Sequence, residues 1–381
     1  MKPFVNLVGQ REKYRSELEK AEKSVLDSGC FIGGPQVTNL EKELSDYVGR
    51  SAICCGSGTD ALTIALMSLG IAPGDEVIVP DFTFIAPAEC VKFLGATPKF
   101  ADINPDTLQI CPESVKSLIS SKTKGIIAVD LFGQCAAFEK LRPVAQEHGL
   151  WIIEDAAQAF GATRRISGHI QRACTFGEIS ITSFYPTKPL GCYGDGGALF
   201  TSDPELEDKI RKIANHGSSG HYNHQLIGIN SRLDAIQAAV LRVKLKHLDE
   251  ELIVRKNNGK LYDNFFTNVW NPNVHESLRV IPQSLDENNS STYAQYTLLA
   301  NNRNAFMEVL KRAEIPYCIH YPETLRNQPC FTEILHLQDS QNKNALTAAQ
   351  KAISLPVCAF TDVNQVIQAL ETRLQKQPKQ I

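Results

Sequence analysis

The residue with the clearest chemical potential is a lysine that directly follows an apolar run. Lys188 stands between Pro186 and Pro189, and a glycine-rich turn at 194–197 comes after it. A lysine at the carboxyl edge of a sheet, where ligands of open α/β folds bind, can have a lowered pKa and attack carbonyl carbons. Most single lysines are solvated surface residues, however. The glycines also lack the spacing of a dinucleotide-binding loop.

Acidic and amide side chains end a second apolar run. Glu154, Asp155 and Gln158 follow or close the run at 150–153. A carboxylate in this position often caps the next helix. It can also pair with a protonated pyridine nitrogen, which keeps that ring able to accept electrons. The residues alone leave both interpretations open.

Two further segments contain groups suited to a phosphate and to a planar ring. Gly58 and Thr59 lie where an apolar run gives way to a helical pattern, and free N–H groups at a helix start can bind phosphate. Phe84 follows the next apolar run and could stack on a cofactor. A tight turn and a core aromatic are the alternatives. Together with Asp155 and Lys188, these segments would supply an anion site, a stacking ring, a pyridine partner and a nucleophile.

Composition indicates an ordinary globular protein. The 381 residues are enough for two domains, and 39 basic against 42 acidic residues give a formal net charge of -3. We therefore expect no nucleic-acid surface. We also expect no signal peptide, and no apolar stretch reaches membrane-spanning length. The 11 cysteines lack metal-ligand spacing, so we expect reduced thiols, no metal site, and a soluble cytoplasmic protein without membrane contact.

The apolar runs predict an α/β fold with a seven-stranded, mostly parallel sheet. Most runs are apolar at consecutive positions, which is typical of strands covered on both faces by helices. Helical patterns at 59–69 and 139–148 separate some of them. The predicted strands are 51–55, 76–80, 98–101, 125–131, 150–154, 179–184 and 197–201.

Helical patterns outside the sheet predict the domain organisation. A continuous pattern at 233–266 indicates one long connecting helix. We expect a large α/β domain over residues 1–245 and a small α+β domain over residues 246–381. The other predicted helices are 12–28, 38–48, 303–313 and 363–374, and 293–300 belongs to the small domain.

Seven separated motifs resemble the DegT/DnrJ/EryC1/StrS sugar aminotransferase family, which are fold-type-I pyridoxal-phosphate enzymes acting on nucleotide-linked keto sugars. The resemblance covers nearly the whole chain, and the motifs occur in the family's order. They are FIGGP at 31–35, SGTDAL at 57–62, PGDEV at 73–77, EDAAQ at 154–158, the Lys188 segment, NSRLD at 230–234 and HYP at 320–322.

The resemblance implies a role for each matching position. Lys188 would form the Schiff base with pyridoxal 5'-phosphate and move the proton, while Asp155 would pair with the pyridine nitrogen. Gln158 would lie near the ring hydroxyl, and Phe84 would stack on the ring. The positions implied to bind the phosphate are Gly58, Thr59, Ser183 and, across a homodimer interface with shared active sites, Asn230 of the partner subunit. Those implied to border the substrate are Arg232, whose planar fork suits a carboxylate, His320 and Tyr321.

Similarity to particular branches of the family limits which reaction we expect. Lys188 disfavours the branch that carries histidine there and removes a hydroxyl group. The segments at 133–136 and 185–197 are similar to bacterial enzymes that aminate the C3 ketone of a UDP-linked 2-acetamido-hexuluronic acid, with L-glutamate as donor, toward O-antigen polysaccharide. Amination at C4, or at C3 of a deoxysugar, is the alternative reaction. A non-catalytic cofactor-binding regulator is the alternative from another class, and Lys188 argues against it.

Two features depart from the family pattern. Asp130 occupies a position where many members carry histidine, and an acid there would add negative charge near the expected sugar pocket. The segment 164–174 is unusually basic, with Arg164, Arg165, His169 and Arg172. These residues would either supply cations to the pocket or form a solvated loop, and we expect the loop.

Overall fold

The computed structural model describes residues 3–337 and 342–376. The helices are α1 (Leu7–Lys13), α2 (Arg15–Ser28), α3 (Gly34–Val48), α4 (Gly58–Ser68), α5 (Ala86–Phe93), α6 (Pro112–Leu118), α7 (Phe138–Glu147), α8 (Pro204–Ala214), α9 (Ala235–Phe265), α10 (Asn271–Asn273), α11 (Arg303–Arg312), α12 (Lys343–Lys351) and α13 (Val363–Lys376). The strands are β1 (Ser51–Cys55), β2 (Glu76–Pro80), β3 (Thr97–Ala101), β4 (Thr123–Val129), β5 (Trp151–Asp155), β6 (Thr163–Ile166), β7 (His169–Arg172), β8 (Ile179–Ser183), β9 (Gly197–Thr201), β10 (Val280–Pro282), β11 (Asn289–Ser290), β12 (Tyr296–Ala300) and β13 (Ala352–Leu355).

A seven-stranded sheet forms the centre of the molecule, with the order β1-β9-β8-β5-β4-β2-β3. Only β9 runs antiparallel to its neighbours, and the pairs from β8 to β3 are parallel. Each of the seven predicted strands is present within two residues of its expected ends. The sheet is buried because α4, α5 and α8 cover one face, and α3, α7 and α9 cover the other. The predicted α/β fold is confirmed.

The N-terminal helices differ from their predicted limits. Two helices, α1 and α2, replace the single helix expected at 12–28, because the chain leaves helical geometry at Tyr14, whose ring is buried against His247. The next helix, α3, begins at Gly34 instead of residue 38. Gly33 takes a positive φ of 67° before it, and Pro35 lies in the first turn, where a missing N–H costs nothing.

The C-terminal part forms a second layer around its own aromatic core. Strands β10, β12 and β13 make an antiparallel sheet, and Tyr262, Trp270 and Phe306 pack against it. The long helix α9 connects this part with the large sheet. The predicted boundary after residue 245 lies inside α9, and residues of α12 pack on the core of the large sheet. The division at residue 245 therefore stays a prediction.

The basic segment at 164–174 is a β-hairpin and not the solvated loop that we expected. Strands β6 and β7 pair with each other, and β11 pairs with β6. Arg164 is only 1% exposed and binds Glu139 and Asp286 at 2.6 and 3.1 Å. Arg172 lies over the ring of Tyr47 at 4.3 Å. Arg164 thus acts as a structural cation, because burial without these carboxylates would be costly.

In the part of the chain that the structure describes, no helix combines the length and apolar character that a membrane span requires.

Candidate active site

The predicted chemical groups meet at one edge of the large sheet. The loops after β1, β2, β5 and β8 leave the same edge, because these strands point in one direction. Thr59 lies in the first turn of α4, Asp155 is the last residue of β5, and Phe84 and Lys188 lie in the loops after β2 and β8. The carboxyl edge of a parallel sheet is the usual ligand site of open α/β folds. The topology therefore brings these side chains into one neighbourhood.

The start of α4 forms a seat for an anion. Ser57 caps the helix by accepting a hydrogen bond from the Asp60 amide at 3.0 Å. The amides of Gly58 and Thr59 belong to the first helical turn, which has no intrahelical acceptors for them. A Cβ on Gly58 would lie 2.7 Å from Cβ of Ser183, so glycine is required for this close approach. Gly58, Thr59 and Ser183 are thus grouped as expected for phosphate binding.

A hydrogen-bonded chain connects this seat with the segment at 230–234. The Gly56 amide donates to the Ser231 hydroxyl at 2.9 Å, and that hydroxyl donates to Asp60 at 2.8 Å. Ser231 is buried, whereas Asn230 and Arg232 on either side are exposed. The segment therefore presents Asn230 and Arg232 on the outer surface beside the phosphate seat.

Arg232 has an acceptor but no carboxylate partner within the described residues. Its Nη1 donates to the amide oxygen of Asn215 at 3.2 Å. Both residues line a cleft with Gly33 and Val37. A guanidinium that has no carboxylate partner can form two parallel hydrogen bonds with the carboxylate of a ligand. In a single chain, Arg232 lies at this cleft.

Asp155 and Lys188 form the electrostatic centre of the site. Asp155 is buried and accepts a hydrogen bond from the Ala157 amide at 3.0 Å. Burial raises the pKa of Asp155 to about 6, although the Ala157 amide and the charge of Lys188 oppose the rise. Burial also lowers the pKa of Lys188, against the attraction of Asp155. The amine of Lys188 is therefore more readily deprotonated and more nucleophilic than an exposed lysine.

Gln158 is fixed by three hydrogen bonds. Its side-chain oxygen accepts from the Phe132 amide at 2.6 Å, and its nitrogen donates to the Tyr321 hydroxyl at 3.2 Å. The Thr292 hydroxyl donates to its carbonyl at 2.8 Å. Tyr321 is thereby held at the edge of the large sheet, in the neighbourhood of Asp155. Burial raises the pKa of Tyr321, and the negative charge of Asp155 raises it further.

His320 and the aromatic rings complete one side of the site. His320 Nδ1 lies 3.0 Å from the Ser354 hydroxyl, and burial together with the charge of Lys188 lowers the pKa of His320 to about 4. The imidazole is therefore neutral near pH 7. Phe84 is half exposed, with its ring centroid 6.3 Å from that of Tyr321. An exposed ring at this sheet edge is available for stacking on a planar ligand.

Asp130 does not bring negative charge to the pocket, so that expectation is wrong. It lies on the opposite sheet face from Asp155, together with Glu154, because side chains alternate along β4 and β5. Its Oδ1 accepts from the Ala136 amide, and its buried Oδ2 receives no donor. Burial, and then the nearby Glu154, raise the pKa of Asp130 far above its ordinary value. A raised pKa favours the neutral, protonated form of Asp130.

Glu154 is the more strongly hydrogen-bonded member of this carboxyl pair. Its two oxygens accept hydrogen bonds from the amides of Cys174 and Phe176 and from the Ser180 hydroxyl, each at 2.7 Å. Burial raises the pKa of Glu154, whereas these three donors oppose the rise by stabilising the carboxylate. Glu154 thus organises the turn before β8 and takes no part in the site on the other face.

Several site residues were not assigned from the sequence. Ser231 lies inside a recognised motif, but its hydrogen bond to Asp60 depends on a partner 171 positions away. Thr292 contacts Gln158 across 134 positions. No local pattern predicts such contacts, because they are set by the packing of distant elements. A buried hydroxyl next to an assigned residue was the only available signal.

The arrangement fits pyridoxal 5'-phosphate. The start of α4 suits the phosphate, and Ser183 closes it from the other side. Buried Asp155, with its raised pKa, is a carboxylate that a protonated pyridine nitrogen would stabilise. Lys188 supplies an amine for the aldehyde, and Phe84 offers a ring face. The described residues contain no group of three or more metal-ligating side chains.

The similarity to known proteins extends over nearly the entire chain. The family model described as the DegT/DnrJ/EryC1/StrS aminotransferase family matches residues 12–371. A UDP-2-acetamido-2-deoxy-3-oxo-D-glucuronate aminotransferase of Pseudomonas aeruginosa is 40% identical over 95% of this chain and 97% of that protein. A UDP-N-acetyl-3-dehydro-alpha-D-glucosamine 3-aminotransferase of Acidithiobacillus ferrooxidans is 38% identical, covering 93% and 92%. A pleiotropic regulatory protein of Geobacillus stearothermophilus is 40% identical, covering 93% of each.

Solved structures agree with this similarity. An aminotransferase from Brucella abortus, named for the same family, superposes with a TM-score of 0.90 at 36% identity, covering 98% of this chain and 99% of that one. NtdA from Bacillus subtilis, solved with the bound cofactor PMP, gives a TM-score of 0.87 at 25% identity and covers 98% and 85%.

Proposed function

The chain belongs to the DegT/DnrJ/EryC1/StrS aminotransferase family, and we propose that it moves an amino group from L-glutamate to the C3 ketone of a UDP-linked 2-acetamido-2-deoxy-hexuluronic acid. It is a pyridoxal-phosphate-dependent sugar aminotransferase. The observation that carries the catalytic part is the desolvated pair of Lys188 and Asp155 at one sheet edge. The relative from Pseudomonas aeruginosa supports the choice of the uronic acid.

Each residue of the site has a separate role in the proposed reaction. Pyridoxal phosphate, when bound, supplies the carbonyl group that takes up the amine and a ring that accepts electrons. Lys188 Nζ accepts the proton from the donor carbon and delivers it to the cofactor, for which its lowered pKa is suited. Asp155 keeps the pyridine nitrogen protonated by placing a buried negative charge beside it. Gln158 orients the ring hydroxyl.

The shared active site of a homodimer is part of the proposal. Asn230 and Arg232 are exposed in the single chain beside the phosphate seat. Tyr222 and Ile227, in the loop before them, are 97% and 87% exposed. Such apolar residues near exposed polar side chains suit burial against a second copy. We therefore assign phosphate binding to Asn230 of the partner subunit and substrate binding to Arg232, His320 and Tyr321.

Arg232 is proposed to bind the carboxylates of both substrates in turn. Arg232→Ala should then raise the KM for L-glutamate and for the keto uronic acid, each by about tenfold or more, because a bidentate ion pair is lost. Arg232→Lys keeps the charge without the planar fork and should give an intermediate effect. A rise for one substrate alone would contradict the shared site.

A regulatory role is the second candidate, and it is favoured by one relative that bears the name of a pleiotropic regulatory protein. A regulator needs the cofactor but no turnover. Lys188, with its lowered pKa, supports catalysis instead. Amination at C4, or at C3 of a deoxysugar, remains the alternative reaction within the enzyme class.

The proposed setting is O-antigen or other surface-polysaccharide synthesis in the cytoplasm. All 11 cysteines are free thiols. Seven of them are buried, and burial raises the pKa of six of these seven. Reduced cysteines are usual in a reducing compartment. This feature supports the location as part of the proposal.

The reaction can be tested in two separate steps by absorbance. The cofactor-loaded protein should lose its yellow colour with L-glutamate, and the colour should not change with L-lysine, which serves as the donor control. After removal of the donor, a panel of UDP- and dTDP-linked keto sugars is added. We expect the 3-keto uronic acid to restore the colour fastest. Equal or faster recovery with a 4-keto sugar or a dTDP-linked deoxysugar would contradict the proposed substrate.

A further inference from the structure

The N-terminal segment at residues 3–7 is held firmly beside the active site. The side-chain oxygen of Asn6 accepts from the Gly9 amide, and its nitrogen donates to the Phe360 carbonyl, both at 3.0 Å. The Asn6 amide also lies 3.4 Å from Sγ of Cys358. Chain ends are usually loose unless specific contacts hold them. Here the Asn6 side chain bonds both to Gly9 and to Phe360, so the residues next to Asn6 in the segment are also held in place.

This fixation places Phe4 against a residue of the substrate side. The ring centroids of Phe4 and His320 are 5.9 Å apart, with the planes tilted by 59°. Val5 and Leu7 line a small cavity together with Lys188. The N-terminal segment therefore meets the site at two places. Phe4 contacts His320, and Val5 and Leu7 line the small cavity that Lys188 also lines.

Phe4 is only partly buried by these contacts. An aromatic ring offers a large, rigid contact surface, and it needs few rotatable bonds to be fixed. Binding pockets for organic ligands are mostly lined by such groups, with a few polar groups that set orientation. The ring of Phe4 next to the neutral imidazole of His320 has this combination.

We propose that Phe4 is a specificity-determining residue that forms an apolar wall for the sugar ring beside His320. This inference rests on the proposed function, because it requires a sugar substrate. L-glutamate is smaller than a nucleotide-linked sugar and does not need this wall. Phe4 should therefore affect the sugar step and leave the donor step nearly unchanged.

The test uses the full-length, cofactor-loaded protein and two independent readouts. Calorimetry measures the affinity for UDP-2-acetamido-2-deoxy-glucuronic acid, which lacks the ketone and cannot react. Absorbance measures the rate of bleaching by L-glutamate. Phe4→Ala should raise the Kd for the UDP sugar about fivefold to tenfold and change the bleaching rate less than about twofold. Phe4→Tyr keeps the ring and should restore the affinity.

Two further variants complete the design. Asn6→Ala releases the segment without touching the ring, so it should weaken sugar binding in the same direction. Phe93→Ala removes a ring that is 79% exposed on α5, and it should change neither readout. Unchanged sugar affinity in Phe4→Ala, or equal losses in both readouts, would overturn the inference about Phe4. The proposed function would still stand in that case if the wild-type protein turns over the sugar substrate. A wild-type protein that binds no nucleotide sugar would overturn both.

Discussion

The side-chain nitrogen of Gln158 donates a hydrogen bond to the hydroxyl of Tyr321 across 3.2 Å, although 163 positions separate the two residues. Gln158 follows the central strand β5, whereas Tyr321 belongs to the C-terminal part of the chain. The bond therefore joins the cofactor-binding edge of the large sheet to the residues that border the substrate. Thr292, which donates to the Gln158 carbonyl, makes a second connection of the same kind.

Removal of the Tyr321 hydroxyl should weaken cofactor binding. Tyr321→Phe leaves the Gln158 nitrogen without its acceptor, and an unpaired buried donor costs about 1–3 kcal/mol. We expect the dissociation constant for pyridoxal phosphate to rise about fivefold or more in an absorbance titration of the apoprotein. Tyr317→Phe, a change at a tyrosine outside this contact, is the control. An unchanged constant in Tyr321→Phe would show that the bond does not support the cofactor site.

Asp155 should make the apoprotein less stable as the pH rises. Its pKa in the folded protein is about 6, above its ordinary value of 3.8, so its stabilising contribution is complete below pH 3.8 and is lost as the pH rises through 6. The loss reaches at most about 3 kcal/mol. Asp155→Asn removes this dependence, so its unfolding free energy relative to wild type should increase between pH 4.5 and pH 8. A pH-independent difference in urea unfolding would refute this account.

The same substitution should impair catalysis. Without the negative charge, the pyridine nitrogen of the bound cofactor is not kept protonated, so turnover should fall by about 100-fold or more. The expected combination is a more stable apoprotein with a much less active holoenzyme. It would identify Asp155 as a residue kept for function at some expense of stability.

The large sheet could be predicted from the sequence because its signal is local. Strands such as β2 and β9 are apolar at consecutive positions, and burial on both faces requires this pattern. Asp155 ends such a strand, and Gly58 and Lys188 lie a few residues after theirs, so their common location at one edge was predictable from topology. The motifs of the family then supplied the individual roles.

Features that depend on distant partners could not be predicted. The charged sequence of β6 and β7 resembles a solvated loop, because the carboxylate of Asp286 that pairs with Arg164 lies 122 positions away. Asp130 looked like a charge in the pocket, because the burial and the neighbouring Glu154 that raise its pKa are set by packing. Desolvation and pairing are properties of the packed structure and leave no periodic pattern in the sequence.

Arg164 should be needed for stability and not for the sugar step. Arg164→Met leaves Glu139 and Asp286 unpaired, and both are partly exposed, so we expect a loss of about 2–3 kcal/mol in the free energy of unfolding. The exposed neighbour gives a matched control, and Arg165→Met should change stability by less than about 0.5 kcal/mol. The KM for the keto sugar should stay unchanged in folded Arg164→Met protein. A selective rise in that KM would instead place Arg164 in the pocket.

Neutralisation should destabilise the protein much more at Glu154 than at Asp130. Burial favours the protonated form of Asp130, so Asp130→Asn should change the free energy of unfolding at pH 7.5 by less than about 1 kcal/mol. Glu154→Gln brings an N–H group against donors that now bind a carboxylate, and it should cost about 2–4 kcal/mol. Thermal unfolding of the two variants measures this difference. Similar losses in both would mean that Asp130 is ionised.

A comparison of the donor step in wild-type and Lys188→Ala protein tests whether Lys188 performs the chemistry. The reconstituted wild-type protein should bleach with L-glutamate and regain its colour with the keto sugar. In Lys188→Ala the rate of both steps should fall by a factor of about 10²–10⁴ or more, because the group that moves the proton is absent. Catalytic turnover by Lys188→Ala at a rate near that of wild type would contradict the account.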